Sequence, residues 1–440
     1  MKRSSRRPRT DRITSAWMIL ALVAAVASVV TRDLLPRTWW TTIHLVTLGV
    51  LTNGILQWSW YFARGILRLP PNDLRGGRDA TRRTVAFNVT LVALILAMWA
   101  GFAAGVIVAA AAMGAIVAWH GLALGRASRT SLGSRFRIVI RFYVAAAGMF
   151  VIGCAIAGGL TVAMLMPNAS DWLVTGHDRL ALAHATVMVC GWLGLSIAGT
   201  LVTLGPTVLR TKMDDAAAPS AVSALPWLCA AIVASAIAIL AGWTLAAGIA
   251  LGAYGATLAV WVGAPLARAA ARRGPHEYPA WSMVAGVAWA GTGIVGFAVS
   301  MVRAADAGDA QQAVVQWVPV IGAAAFAQIF VGALSYLLPV VIGGGPTPVR
   351  TGIATIETFS ALRLVVRNVA LVALAVTVGV GSPARWAWWV LVIATFAVDV
   401  GLLAAAGVRQ AHSRRAHRDD AFVVIGMPIM AMPQAKEPTP

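Results

Sequence analysis

From Leu182 to Leu209 the chain runs without a single Asp, Glu, Lys or Arg. That exceeds the ~20 apolar residues a helix needs to cross a hydrocarbon layer. Inside lipid a backbone must satisfy its own polar groups, and a helix does this within one segment. Runs of the same kind recur to the end of the chain, parted by short basic clusters. With 59% of residues hydrophobic and only 12% charged, against ~25% charged in soluble domains, a soluble globule is excluded. The expectation is an all-α integral membrane protein.

Twelve apolar segments can be counted, at about 14–31, 39–61, 85–100, 103–124, 138–166, 182–209, 224–243, 245–266, 281–302, 314–342, 364–380 and 386–406. Their linkers test the count. With twelve spans and both termini on one side, that side carries 30 of the 35 Lys and Arg, and the other only Arg32, Arg37, Arg179, Arg303 and Arg385. Positive residues stay cytoplasmic, so both termini are expected in the cytoplasm of a multi-pass protein of a bacterial plasma membrane. Residues 1–13 form a basic cytoplasmic N-terminus, 14–408 the membrane domain and 409–440 a disordered cytoplasmic tail. The net charge of +19 sits in these orienting clusters without interleaved aromatics, so it does not read as a nucleic-acid surface. Cys154, Cys190 and Cys229 lie in apolar runs without metal or disulfide spacing. The first segment shows no small-residue cleavage site and is read as a span.

Ionisable groups inside such segments are costly and need partners. In this topology His44 and His184 both lie ~6–9 Å below the outer surface, on the second and sixth segments. Two neutral imidazoles at matched depth can bind one b-type haem axially. Gly49, Gly54, Gly191 and Gly194 would make room for it, with Trp58, Trp60 and Trp192 as apolar walls. The competing reading has both imidazoles paired to Thr or backbone in the bundle. His177 reads as a surface residue just ahead of the sixth segment. His120 falls near the inner end of the fourth, and His276, His412 and His417 in cytoplasmic stretches. Asp399 is the sole acid at mid-membrane, a candidate for a proton path or for an ion pair. Gln328 is a polar group on the tenth segment, while Arg141 and Arg367 are expected to snorkel to lipid phosphates.

An internal echo links the sixth and tenth segments. Gly199-x-Leu201-x-x-Leu204-x-Pro206 matches Gly332-x-Leu334-x-x-Leu337-x-Pro339, each followed by a basic residue, Arg210 or Arg350. The two segments are four apart, and the second segment stands at the preceding step. Segments 2, 6 and 10 are therefore expected to form an equivalent set in a pseudo-threefold bundle; internal repeats are common in polytopic proteins.

That set, with the stretches His44–Trp60, His184–Met213 and Gln328–Pro346, resembles subunit I of haem-copper oxidases and the NnrS-type membrane proteins. It is closer still to the membrane half attached to some bacterial multicopper oxidases and copper nitrite reductases. The resemblance implies a haem-binding membrane redox protein tied to nitrogen-oxide metabolism. Its cofactor would be haem b held by His44 and His184 with Gln328 beside them, with copper as a second candidate metal for the same histidines. Its partners would be the lipid bilayer and an extracytoplasmic cupredoxin or cytochrome. An oxidase also uses histidine pairs on its seventh and tenth helices, and here segments seven to twelve hold no histidine. Any enzyme role is then that of an oxidoreductase component that does not reduce oxygen by itself. The alternatives are a secondary transporter of a small solute, which twelve helices and one buried Asp also suit, and a cofactor-free assembly or metal-delivery factor.

Overall fold

The computed structural model describes residues 10–30, 35–69, 78–130, 137–380 and 383–416. These residues form helices and short connections, with no strand among them. We label the twelve long helical runs α1 (Thr10–Val30), α2 (38–66), α3 (Arg78–Trp99), α4 (Ala103–Thr130), α5 (Arg137–Leu165) and α6 (His177–Val208). The second six are α7 (Ala217–Ala241), α8 (Thr244–Ala271), α9 (Tyr278–Arg303), α10 (Ala307–Ile342), α11 (Pro346–Val376, broken at 357–359) and α12 (Ala384–Ala416). Ten of them, α3 to α12, are long and apolar enough to cross a membrane. The apolar part of α1 is Ala16–Ser28, and α2 dilutes its apolar residues with Asn53, Gln57 and Ser59.

Each helix packs on its chain neighbour through most of the bundle, and α1 packs on both α2 and α12, so the first and last helices meet. Lipid is as apolar as Leu, so helix association here depends on close fit more than on a hydrophobic drive. The two glycines of the internal echo illustrate this. A methyl group on Gly332 would strike the backbone of Pro279 and Met283 on α9, and one on Gly199 would strike Phe142 on α5.

Three boundaries differ from the sequence reading. The N-terminal helix begins at Thr10 rather than Thr14. The last continues past 408 to Ala416, because Gln410 donates to the carbonyls of Pro339 (2.8 Å) and Gly343 (3.0 Å) and Arg414 to that of Ile342 (3.1 Å). Residues 417–440, the rest of the expected tail, lie outside the described residues, as do 1–9. The stretch left between the second and third apolar segments, 62–84, ends inside a helix: Arg83 is in α3 and buried.

α2, α6 and α10 share a further trait. Each contains a π-helical stretch, Leu45–Thr52, Val187–Gly194 and Gly322–Ala327 respectively. A widened turn of this kind costs regular hydrogen bonds and is frequent at functional sites. The one other π stretch among the described residues is Ala259–Gly263 in α8.

Candidate functional site

His44 immediately precedes the π stretch of α2, and His184 lies three residues before that of α6. Both are half-buried. The Nδ1 of His44 donates to the Trp40 carbonyl at 2.7 Å, and its ring stacks on Trp40 with centroids 4.0 Å apart. The Nδ1 of His184 donates to the Gly153 carbonyl on α5 at 3.0 Å. A carbonyl can only accept, so the proton of each neutral ring sits on Nδ1 and the lone pair on Nε2. Neither Nε2 has a hydrogen-bond partner among the described residues. Fixing Nδ1 on a carbonyl so that Nε2 is presented is how ligating histidines are usually held.

The glycines expected to open a slot beside these rings are filled instead. Trp17 sits against Gly49, Phe330 against Gly54, Met149 against Gly191 and the Tyr254 hydroxyl against Gly194. The expected walls are also engaged. Trp192 donates to Thr52 Oγ1 at 2.9 Å and meets Phe150 edge-on, while Trp60 is buried beside His120. Trp58 and Gly54 border open space that lies deeper in the bundle. It is a cleft of about 710 Å³, counting its mouth, lined chiefly by α2, α6 and α10 with single residues of α5 and α9. Its first residues, Leu51 and Leu193, follow the histidines by seven and nine positions, ~10 Å or more along each helix.

Gln328 is fully buried and is not brought to the histidines. Its amide exchanges hydrogen bonds with Asn368 on α11 (3.1 and 3.2 Å) and also donates to the Ala324 carbonyl at 2.7 Å. The Trp289 Nε1 donates to the same Asn368 Oδ1 at 2.9 Å. Asp399 is buried between Arg363 and Arg367, which both donate to its carboxylate, and it accepts from the Tyr278 hydroxyl at 2.7 Å. Arg367 is therefore buried and ion-paired rather than snorkelling, because Asp399 on α12 and the Phe396 ring, 3.9 Å from its guanidinium carbon, lie inward. Arg141 is exposed. His177 opens α6 and contacts Asp178 at the surface (3.0 Å). His120 is buried, its Nε2 bonded to Ser59 Oγ at 2.8 Å. The three cysteines are free thiols.

Sequence reasoning missed the buried arginines, although a signal was present. Arg83-x-Val85-x-x-Asn88-Val89-x-Leu91-Val92-Ala93-Leu94 on α3 recurs as Arg363-x-Val365-x-x-Asn368-Val369-x-Leu371-Val372-Ala373-Leu374 on α11. Asn88 pairs with Asn53 of α2 (2.7 and 3.1 Å) as Asn368 pairs with Gln328 of α10. The helix pairs α2–α3 and α10–α11 thus share both this motif and an interhelical amide pair. No protein-family model and no curated protein matches the chain.

Proposed function

We propose that this protein is a haem-binding redox component of a bacterial plasma membrane, in which His44 and His184 are the axial imidazoles of one b-type haem. The observation that carries the reading is the shared state of the two rings: both Nδ1 atoms are fixed on backbone carbonyls, and neither Nε2 atom has a partner among the described residues. Two such imidazoles suit haem iron, which would supply one-electron chemistry when bound, but the glycines beside the rings are filled by Trp17, Phe330, Met149 and Tyr254, so a macrocycle would have to displace those side chains. The chain's own part is to hold the two tautomers with Nε2 presented. Gln328 is left out of the ligand set, since its amide is consumed by Asn368.

The same reading has twelve spans with both termini cytoplasmic, supported by the 30 basic residues on one side against 5 on the other. It makes α2, α6 and α10 equivalent members of a pseudo-threefold bundle, supported by their π stretches and by the cleft they share. The imidazoles would then lie near the outer surface, within reach of an extracytoplasmic cupredoxin or cytochrome.

Protein purified from haem-replete cells should give a Soret band and a reduced α-band typical of two imidazole ligands. His44→Ala and His184→Ala should each abolish or shift both bands. A haem-replete preparation without Soret absorbance would reject the redox reading and leave a secondary transporter as the better one.

A further inference from the structure

The cleft between α2, α6 and α10 is not used by the imidazole pair, and its chemistry is specific. Its walls are almost wholly apolar, with the aromatic faces of Trp58, Phe62, Phe326 and Phe330. None of its lining residues is Asp, Glu, Lys, Arg or His. A phosphate head group or a fatty-acid carboxylate would find no counter-charge there, and burying an unpaired charge is prohibitive. The polar side-chain atoms present are the indole N–H of Trp58 and hydroxyls. Those of Tyr143 and Thr200 satisfy each other at 2.7 Å, and that of Ser59 is held by His120 at 2.8 Å. The hydroxyl of Ser196 has no hydrogen-bond partner among the described residues, although the residue is only 1% exposed. A buried hydroxyl left unpaired costs ~1–3 kcal/mol, so Ser196 lacks an acceptor that the protein itself does not provide.

A matching ligand is uncharged and flat, carries a carbonyl acceptor on its ring, and reaches the bilayer through an apolar tail. We propose that the cleft is a binding site for an isoprenoid quinone, with the ring among Trp58, Phe62 and Phe330 and one carbonyl accepting from Ser196 Oγ. The tail would leave past the half-buried residues Ile55, Ala333 and Leu334 at the rim. Ser59 offers a second hydroxyl at the wall, backed by an imidazole that can donate or accept.

The test uses full-length protein in nanodiscs of saturated phosphatidylcholine, titrated with decylubiquinone and followed by quenching of tryptophan fluorescence. An azido-quinone photolabel is then mapped by peptide mass spectrometry. Saturable binding and labelling on α2, α6 and α10 are expected. Ser196→Ala should weaken binding about fivefold to tenfold, the loss of one hydrogen bond. Ala333→Trp, which fills the rim, should abolish it. Because Ser196→Ala removes only an unpartnered hydroxyl, that variant stays interpretable even if Ala333→Trp fails to fold. The proposal is overturned if folded protein shows no saturable binding, or if Ser196→Ala leaves the affinity unchanged. It is also overturned if the label falls outside the cleft, or if a diazirine-bearing phospholipid occupies the cleft and quinone does not displace it. The titration is repeated in His44→Ala/His184→Ala protein, where quinone binding should persist, so failure of the haem reading and failure of this one are told apart.

Discussion

The helix pairs α2–α3 and α10–α11 carry the same motif yet treat its buried arginine differently. On α3, Arg83 lies over the rings of Trp60 (5.2 Å) and Trp119 (5.4 Å), with His120 alongside and the Asp79 carboxylate, one turn away on the same helix, also acting on it. On α11, Arg363 lies over the Tyr278 ring at 4.0 Å and also donates to Asp399. The motif position held by Phe87 in the first copy is Arg367 in the second, and both are fully buried. One guanidinium can be accommodated by aromatic faces and polar neighbours. Two adjacent ones cannot, because each desolvated cation repels the other, and a carboxylate between them becomes necessary. The second charge explains the lone mid-membrane acid, and Asp399 is in this sense the counterpart of a Phe-to-Arg difference.

The largest effect should come from breaking the charged copy. Asp399→Asn removes the anion and leaves two buried guanidiniums facing a neutral amide, a loss of about 3–5 kcal/mol by analogy with other buried pairs. Chemical unfolding in detergent measures it. Adding Arg367→Phe to Asp399→Asn gives the second copy the first copy's arrangement and should recover more than half of the loss. No recovery would mean the two copies are not interchangeable in this way. Arg83→Met should cost less, about 2 kcal/mol, since a desolvated cation–π contact is of that order. The amide pairs should rank the same way. Asn368→Leu strands both the Gln328 amide and the Trp289 Nε1, whereas Asn88→Leu strands only Asn53, so the first should exceed the second by about 1 kcal/mol.

How much of this was legible follows from what each level of structure depends on. Helical segments read well because apolar runs and basic punctuation are local properties of the chain. The break of α11 at 357–359 did not, because Glu357 is drawn to the backbone N–H of Tyr278 (2.9 Å), a partner on another helix. The Gly-to-Pro echo of α6 and α10 was visible, since close helix approach demands glycine at that spot. The Arg-to-Leu echo of α3 and α11 was equally plain in the letters. It was masked by the expectation that an arginine at a segment end snorkels, which tertiary partners on α9 and α12 override. The contents of the space between helices could not be read from the sequence. Phe330 against Gly54 and Tyr254 against Gly194 are contacts between distant parts of the chain, and a glycine in sequence reads the same whether its neighbour is a cofactor or a ring.

The smallest effect tests the arrangement where water can reach it. Asp214, in the connection between α6 and α7, repeats the carboxylate-between-two-arginines pattern at the end of the bundle. Its oxygens accept from Arg268 Nε and Nη2, both at 3.2 Å, and from Arg272 Nη2 at 3.4 Å; the arginines stand four apart, as Arg363 and Arg367 do. These arginines are about half exposed, so solvent screens them and each pair is worth little. The Arg268 guanidinium, above all, holds the Asp214 carboxyl below its ordinary value of 3.8. A carboxyl lowered on folding adds stability at pH above that ordinary value, and the increment is lost as pH falls through the lower folded one. Melting temperature should therefore drop slightly more steeply below about pH 4 in the parent protein than in Asp214→Asn, with the variant marginally less stable at neutral pH. The difference should shrink in molar salt, as screening of exposed charges requires. Asp399→Asn, by contrast, should be as destabilising in molar salt as in dilute buffer, because ions do not enter the bundle interior. Equal salt responses for the two substitutions would show that burial is not what separates the charged clusters.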